Sequence, residues 1–154
     1  DITGLAAAHG LVVRPEWRLP MTPHLCEAAA AYVRLLLTAP AAQRVDGLVI
    51  GDDNYVEAAL AGLRAGGVEL GRDIRVLAHA NFPWAGPRPA GVQRLGYDTV
   101  EVLHACLDLL AAQRGGKEIL PVTELPARFE NEVNAAQPPT RATVTARVTT
   151  GEST

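Results

Sequence analysis

The chain has 154 residues, of which 48% are hydrophobic and 20% charged, and its formal net charge is −3. This length suits one domain with a core large enough to fold alone, and no apolar run reaches the roughly 18 residues that a membrane span needs. The 14 basic residues form no basic patch, which argues against nucleic-acid binding by this chain.

The first 40 residues predict two helices with a short extended segment between them. Residues 1–9, closed by Gly10, read as a helix without an N-terminal cap, so we expect the chain to be a piece of a longer protein. Residues 11–19 predict one or two short strands, interrupted at Pro15. Residues 23–38 predict an amphipathic helix, whose apolar face is formed by Leu25, Ala29, Tyr32 and Leu36.

Residues 45–67 predict a buried strand, a polar turn and an amphipathic helix, in that order. The strand is predicted at 45–50, and its apolar run at 48–50, bounded by Gly47 and Gly51, is typical of a parallel strand covered on both faces. We expect Asp52 or Asp53 to cap the helix that follows at 54–65, because an acceptor there meets exposed N–H groups. The carboxyl end of a parallel strand is also where ligands bind in open α/β sheets, so this turn is the first candidate site.

Residues 74–78 predict a second short strand after that helix. The β-α-β spacing implies a right-handed crossover and a parallel sheet. The predicted fold class is therefore α/β, with three αβα layers around a mostly parallel sheet.

The second half of the chain alternates between proline-rich and helical segments. Residues 81–91 carry Pro83, Pro87 and Pro89, and predict a long loop of the kind that is often functional. Residues 97–113 predict a helix, and we expect its inward face to be formed by Val100, Leu103, Leu107 and Leu110.

The remaining residues predict an edge segment and a tail. Residues 119–130 are extended, and Pro121 and Pro126 confine them to a sheet edge. Residues 134–154 are rich in Thr and read as a tail, in which TVTARV alternates enough to add as a strand. We therefore divide the chain into a domain at 1–133 and a tail at 134–154.

The two cysteines indicate neither a disulfide framework nor a metal site. Cys26 and Cys106 are far apart, and both fall in predicted helices among apolar neighbours. We expect buried free thiols. His24 and Cys26 point apart on a helix, so we predict no metal ligand set and no cofactor.

Several short motifs occur in an order that resembles a known family. The stretch GLVIGDDNYVEAALAGLRAGGVELGRDIRVLAHAN contains a specific Gly-Arg-Asp-Ile turn into the second strand, and LPVTELPARFE closes the pattern with Arg128. Together with the helix between Gly4 and Gly10, they resemble the second half of the effector-binding domain of LacI/GalR-type transcription regulators. The resemblance covers most of residues 1–130 and implies a periplasmic-binding-protein-like fold.

The resemblance implies a small-molecule sensor of a bacterial transcription regulator. In that family two subdomains close around an effector, commonly a sugar, and so change the spacing of an attached helix-turn-helix pair that lies outside this chain. It further implies a homodimer in the cytoplasm, with no membrane partner and no enzymatic activity.

The family's binding residues can be matched to single positions of this chain. An Asn-Asp pair after the strand matches Asp52 and Asp53, and two aspartates after the next strand match Ala80 and Asn81. A frequent Arg matches Asp1, which is a departure that leaves the effector class open. With the loop aromatics as candidates for stacking on a sugar, the predicted effector-binding residues are Asp52, Asp53, Asn81, Phe82 and Trp84.

Each of these signals has an alternative interpretation. Asp52 and Asp53 fit a helix cap alone, and Phe82 and Trp84 fit loop packing. A periplasmic sugar-binding protein of a transport system has the same fold. The motif GDDN also resembles haloacid-dehalogenase-type phosphatases, but residues 1–46 supply no Asp-x-Asp nucleophile and Lys117 lies far downstream.

Overall fold

The structure is a computed structural model that describes residues 2–20, 22, 27–40, 43–84, 86–119 and 122–136. Two short 3-10 turns lie at Pro15–Trp17 and Asp53–Tyr55. The helices and strands, in chain order, are α1 Ile2–Ala8, α2 Ala28–Leu37, β1 Gly47–Ile50, α3 Val56–Ala65, β2 Arg75–Phe82, β3 Val92–Asp98, α4 Thr99–Arg114, β4 Arg128–Phe129 and α5 Glu130–Ala136. Among the described residues, no helix is both long and apolar enough to cross a membrane.

The four strands form one sheet in the order β1-β2-β3-β4. The first three are parallel, and β4 pairs antiparallel with β3 at the edge. In the register, Ile50 lies beside Ala78 and Ala80 lies beside Gly96. This mixed sheet with flanking helices confirms the predicted α/β class. Of the segment predicted at the sheet edge, Arg128–Phe129 form the edge strand β4.

The main core lies on the sheet face that α2 and α3 cover. Along β2 the buried residues alternate with more exposed ones, as expected for a strand with one covered face. The buried members of this core are Ala29, Val33, Ile50, Tyr55, Ala59, Leu60, Leu63, Ile74, Val76 and Ala78. Each buried Leu, Ile or Val side chain contributes about 1.5–3 kcal/mol relative to exposure, so this face supplies most of the apolar stabilisation.

The strand β3 and the end of β2 were not predicted from the sequence. Residues 81–91 were expected to be loop throughout, yet Asn81 and Phe82 are the last residues of β2. The small Ala78 and Ala80 weaken the alternating pattern there. In β3 the two buried positions are held by Arg94, a charged residue, and by Gly96, and neither gives an apolar strand signal.

The predicted inward face of α4 is wrong. Its apolar residues lie in solvent, with exposed fractions of 50% for Val100, 62% for Leu103, 61% for Leu107 and 52% for Leu110. The opposite side of the helix is also apolar, and there Val102, Ala105 and Leu109 are partly buried. A helix that is apolar on two sides gives no unique orientation from sequence periodicity.

Two further expectations also differ from the structure. Residues 11–19 form no described strand, since Leu11 and Val12 are 63% and 71% exposed and have no described strand beside them. Cys106 is an exposed free thiol rather than a buried one, because α4 turns that side to solvent. Cys26 and His24 lie outside the described residues.

The predicted tail overlaps α5, which includes residues 134–136. Residues 137–154, with the TVTARV segment, lie outside the described part of the chain. The proposed division at residue 133 therefore stays a prediction.

The close approach of α2 and α3 yields a direct test of the packing. A methyl group added at Gly62 would lie 2.5 Å from the carbonyl oxygen of Ala30, whereas one at Gly4 in α1 would meet nothing within 4 Å. We expect Gly62→Ala to lower the free energy of unfolding by about 1–3 kcal/mol, as overpacking does. Gly4→Ala, the matched helical control, is expected to be neutral or to stabilise by up to about 1 kcal/mol. Urea denaturation measures both, and equal midpoints for the two variants would contradict the packing.

Candidate functional site

The carboxyl ends of β1 and β2 lie side by side because the two strands are parallel and in register from Gly47 beside Arg75 to Ile50 beside Ala78. Asp53 follows β1, and Asn81 lies near the end of β2. The Asn81 side-chain amide donates a hydrogen bond to the Asp53 carboxylate, with 3.0 Å between Nδ2 and Oδ2. Two predicted site residues that are 28 positions apart in sequence are therefore in contact at the carboxyl ends of β1 and β2.

Asp52 caps the turn that leads into α3. Its Oδ1 accepts hydrogen bonds from the Asn54 backbone N–H at 3.0 Å and from the Asn54 side-chain amide at 2.8 Å. Asp52 thus caps the 3-10 turn Asp53–Tyr55 that leads into the helix, whereas α3 itself has Tyr55 at its N-cap position and no side-chain cap. The Asn54 backbone N–H, followed by its side chain and with a smaller contribution from His79, lowers the pKa of Asp52 below its usual 3.8.

His79 lies on the same face of β2 as Asn81. It lies two positions before Asn81, and its ring centroid is 6.3 Å from that of Tyr97 on β3. His79 is partly buried, with its Nδ1 shielded from solvent, and its electrostatic effect on the pKa of Asp52 shows that it lies near that turn. His79 lies inside β2 and was not among the predicted site residues.

Phe82 and Trp84 lie on the opposite face of the sheet from Asn81. Phe82 is 2% exposed and packs in a second small cluster with Ala80, Val133 and Trp84. This burial argues against stacking of Phe82 on a ligand and gives it a supporting role. Trp84 is only half-buried, and it is the one of the two aromatics whose ring remains partly accessible.

Trp84 is held in place by polar contacts on two sides. Its indole N–H donates to the Pro87 carbonyl at 3.3 Å. The guanidinium of Arg94 lies 5.6 Å from the ring centroid, within the range of a cation–π contact. The residues predicted as one site thus form two groups, with Asp53 and Asn81 at the strand edge and Trp84 in the packed cluster.

A buried ion pair underlies this second group. Arg94, whose side chain is 5% exposed, donates from Nε to Glu130 Oε2 at 2.9 Å and from a second nitrogen to Oε1 of the same carboxylate. Arg88 adds a contact of 3.1 Å to Glu130 from the loop before β3. Neither arginine was predicted, since no local sequence signal links either one to Glu130, which lies 36 positions after Arg94.

Side-chain contacts also tie α4 to neighbouring strands. Asp98 caps α4 by accepting from the N–H of Val100 at 2.9 Å, and the Thr99 hydroxyl donates to the Phe82 carbonyl at 2.7 Å. Arg128 lies 3.4 Å from Glu101, which gives the closing arginine of the sequence motif a structural partner.

One further cavity borders the candidate site. This open groove of about 760 Å³ is lined by Tyr97, Val102 and residues 123–126, and Tyr97 pairs with Asn81 in the sheet register. Within the part of the chain that is described, no group of three or more His, Cys, Asp or Glu residues could hold a metal ion.

Comparison with protein-family models and with curated protein sequences gives no match. Solved structures do match in fold. A regulatory protein of the LacI family from Chloroflexus aggregans superposes with a TM-score of 0.66 at 19% identity, covering 77% of this chain and 42% of that one. The Escherichia coli transcriptional repressor ascG gives 0.64 at 16% identity, with 82% and 45% covered.

A LacI family transcriptional regulator from Lactobacillus casei with bound sucrose gives a TM-score of 0.61 at 18% identity and covers 83% of this chain and 46% of that one. The chain thus has a fold found in LacI-family transcription regulators and spans less than half the length of these three. The predicted resemblance is confirmed at the level of the fold.

The Asp52 cap predicts a pH-dependent contribution to stability. Because the folded-state pKa of Asp52 is lowered, its carboxylate stabilises the fold above its unfolded pKa, and this contribution is lost as the pH falls through the lowered value. We expect Asp52→Asn to be less stable than the parent at neutral pH and the gap to close below pH 3.8. Urea denaturation across this range measures the gap. Asp46→Asn controls for net charge, and a gap that stays constant with pH would contradict the interpretation.

Proposed function

We propose that this chain is the second half of the effector-binding part of a LacI-type bacterial transcription regulator, and that its effector is a small carbohydrate. The observation that carries the proposal is the hydrogen-bonded pair of Asp53 and Asn81 at the carboxyl edge of parallel strands. The shared fold with LacI-family regulators supports it. On this proposal the protein is cytoplasmic and acts by binding, without catalysing a reaction.

The chemistry of the edge suits a polyhydroxylated ligand. The Asp53 carboxylate accepts hydrogen bonds from hydroxyl groups, and the Asn81 amide both donates and accepts them. A sugar hydroxyl that bridges these two side chains would replace their direct hydrogen bond. Trp84 offers an aromatic surface of the kind that packs against an apolar sugar face. The sucrose and the glucose in structures of the Lactobacillus casei regulator are ligands of this class.

The proposal assigns only half of a binding pocket to this chain. The site is open at the carboxyl ends of β1 and β2, where Asn81 is exposed and Asp52 and Asp53 are partly exposed. A ligand pocket normally buries most of its ligand, so a second wall from another subdomain is required for tight binding. A separate helix-turn-helix outside the chain would contact DNA.

Titration calorimetry tests the pocket in two forms of the protein. We expect the 154-residue chain to show no tight, saturable binding of glucose or sucrose, whereas the complete encoded protein binds its sugar. In the complete protein, Asp53→Ala and Asn81→Ala are each expected to weaken binding by about tenfold or more, since lost hydrogen bonds to a ligand cost about 1–3 kcal/mol. Asp46→Ala is the charge control.

The outcomes separate the two parts of this proposal. Tight binding by the 154-residue chain alone would contradict the half-pocket. Unchanged affinity in both variants of the complete protein would contradict the assignment of Asp53 and Asn81.

We also propose that the chain forms a homodimer through α4. Its exposed apolar stripe, defined as Val100, Leu103, Leu107 and Leu110, is 50–62% accessible and faces away from β3, which α4 contacts with its other side. Apolar residues at helical spacing on a free face favour a helix–helix interface. In a symmetric dimer the same patch is used by both copies, and Cys106 near the middle of α4 would approach its own copy.

Leu103→Glu tests this interface. A carboxylate placed in the stripe would be buried without a partner, which costs about 3 kcal/mol or more and raises the dimer dissociation constant at least about 100-fold. Analytical ultracentrifugation measures it, with Gln113→Glu as a matched charge outside the stripe. Short bismaleimide linkers should join Cys106 to its copy in a Cys26→Ser background. An unchanged dimer constant, or a monomeric parent, would contradict the proposal.

A further inference from the structure

The loop between β2 and β3 is folded against itself and against α5. We name it the proline loop and define it as residues 83–84 and 86–91. Its internal contact is the hydrogen bond from the Trp84 indole to the Pro87 carbonyl, at 3.3 Å. Its external contact is the ion pair of Arg88 Nε with Glu130 Oε1, at 3.1 Å. These two contacts link the position of Trp84 to the first residue of α5.

Glu130 receives two arginines that differ in their environment. Arg94 is 5% exposed and binds both carboxylate oxygens, so it holds the carboxylate in a fixed position. Arg88 is 60% exposed and reaches the same carboxylate from the solvent side. Since the Glu130 side chain is 18% exposed, this carboxylate can contact the buried Arg94 and the exposed Arg88 at the same time.

The ion pairs of Glu130 with Arg88 and with Arg94 are expected to respond differently to salt and to substitution. Exposed ion pairs are weak and are screened by salt, whereas a buried pair with two hydrogen bonds is screened much less. The contact of Arg94 with Glu130 therefore belongs to the fold. The contact of Arg88 with Glu130 can open while the fold stays intact.

We propose that Arg88 is a positioning residue that holds the proline loop against α5 through Glu130 and so fixes Trp84 where it can meet a ligand. That Trp84 meets a ligand rests on the proposed function. That Arg88 holds the proline loop against α5 is independent of it, because the contact is present in the ligand-free chain.

The test uses Trp84 as the only tryptophan, in a Trp17→Phe background of the 154-residue chain. Arg88→Gln removes the ion pair, and acrylamide quenching reports how far Trp84 is exposed. We expect an about fivefold increase in the population with the loop released, which corresponds to about 1 kcal/mol, the upper value for an exposed ion pair. Added salt should raise quenching in the parent toward that of the variant.

Two further variants keep the result specific. Arg88→Lys retains a positive charge and should restore part of the protection of Trp84. Arg64→Gln removes another exposed positive charge, at the end of α3, and should leave quenching unchanged. A urea midpoint for Arg88→Gln close to that of the parent is expected, because Arg94 still satisfies Glu130.

Equal quenching in the parent and in Arg88→Gln would overturn the proposal, and so would a global loss of stability in Arg88→Gln. All measurements are made without ligand. A failure of sugar binding would therefore leave the result on the proline loop intact, and a failure of the loop result would leave the sugar titration interpretable.

Discussion

The parallel pairing of β1 with β2 is the constraint on which the candidate site depends. Their register brings the turn after β1 next to the end of β2, and so joins Asp53 to Asn81 across 28 positions of sequence. Packing of α2 and α3 on one face of the strands keeps that register, because a shift by one residue would turn Val76 and Ala78 out of the core. The contact of Asp53 with Asn81 thus depends on the burial of one face of the sheet under α2 and α3.

At β3 the ion pair of Arg94 and Glu130 holds a helix against the sheet, as apolar packing does at β1 and β2. It fixes α5 to β3 and supports the cluster of Phe82, Trp84 and Val133. Removing Glu130 would leave the guanidinium of Arg94, 5% exposed, without its carboxylate partner, which is destabilising because a buried charge needs a partner. The same pair gives the proline loop its anchor, which links loop position to the C-terminal helix.

The sequence predicted the β1–α3–β2 unit and the Asp52 cap because strong local signals agree there. It missed β3, where buried Arg94 takes an apolar position and is satisfied only by Glu130, 36 residues away. It predicted the wrong buried side for α4, because both sides of this helix are apolar and only tertiary packing distinguishes them. Asp53 and Asn81 were predicted as effector-binding residues from the family resemblance and remain a prediction. The burial of Phe82 was not predicted, because burial at a strand end depends on α5 and not on local sequence.

We propose that this chain forms one wall of an effector pocket in a transcription regulator. The intact mass and N-terminal sequence of the expressed protein, set against the reading frame that encodes it, test this proposal most directly. On this proposal, a helix-turn-helix and a first α/β subdomain are encoded upstream of Asp1. A secretory signal there would instead indicate a transport receptor, and a protein that starts at Asp1 or just before it would contradict the sensor function.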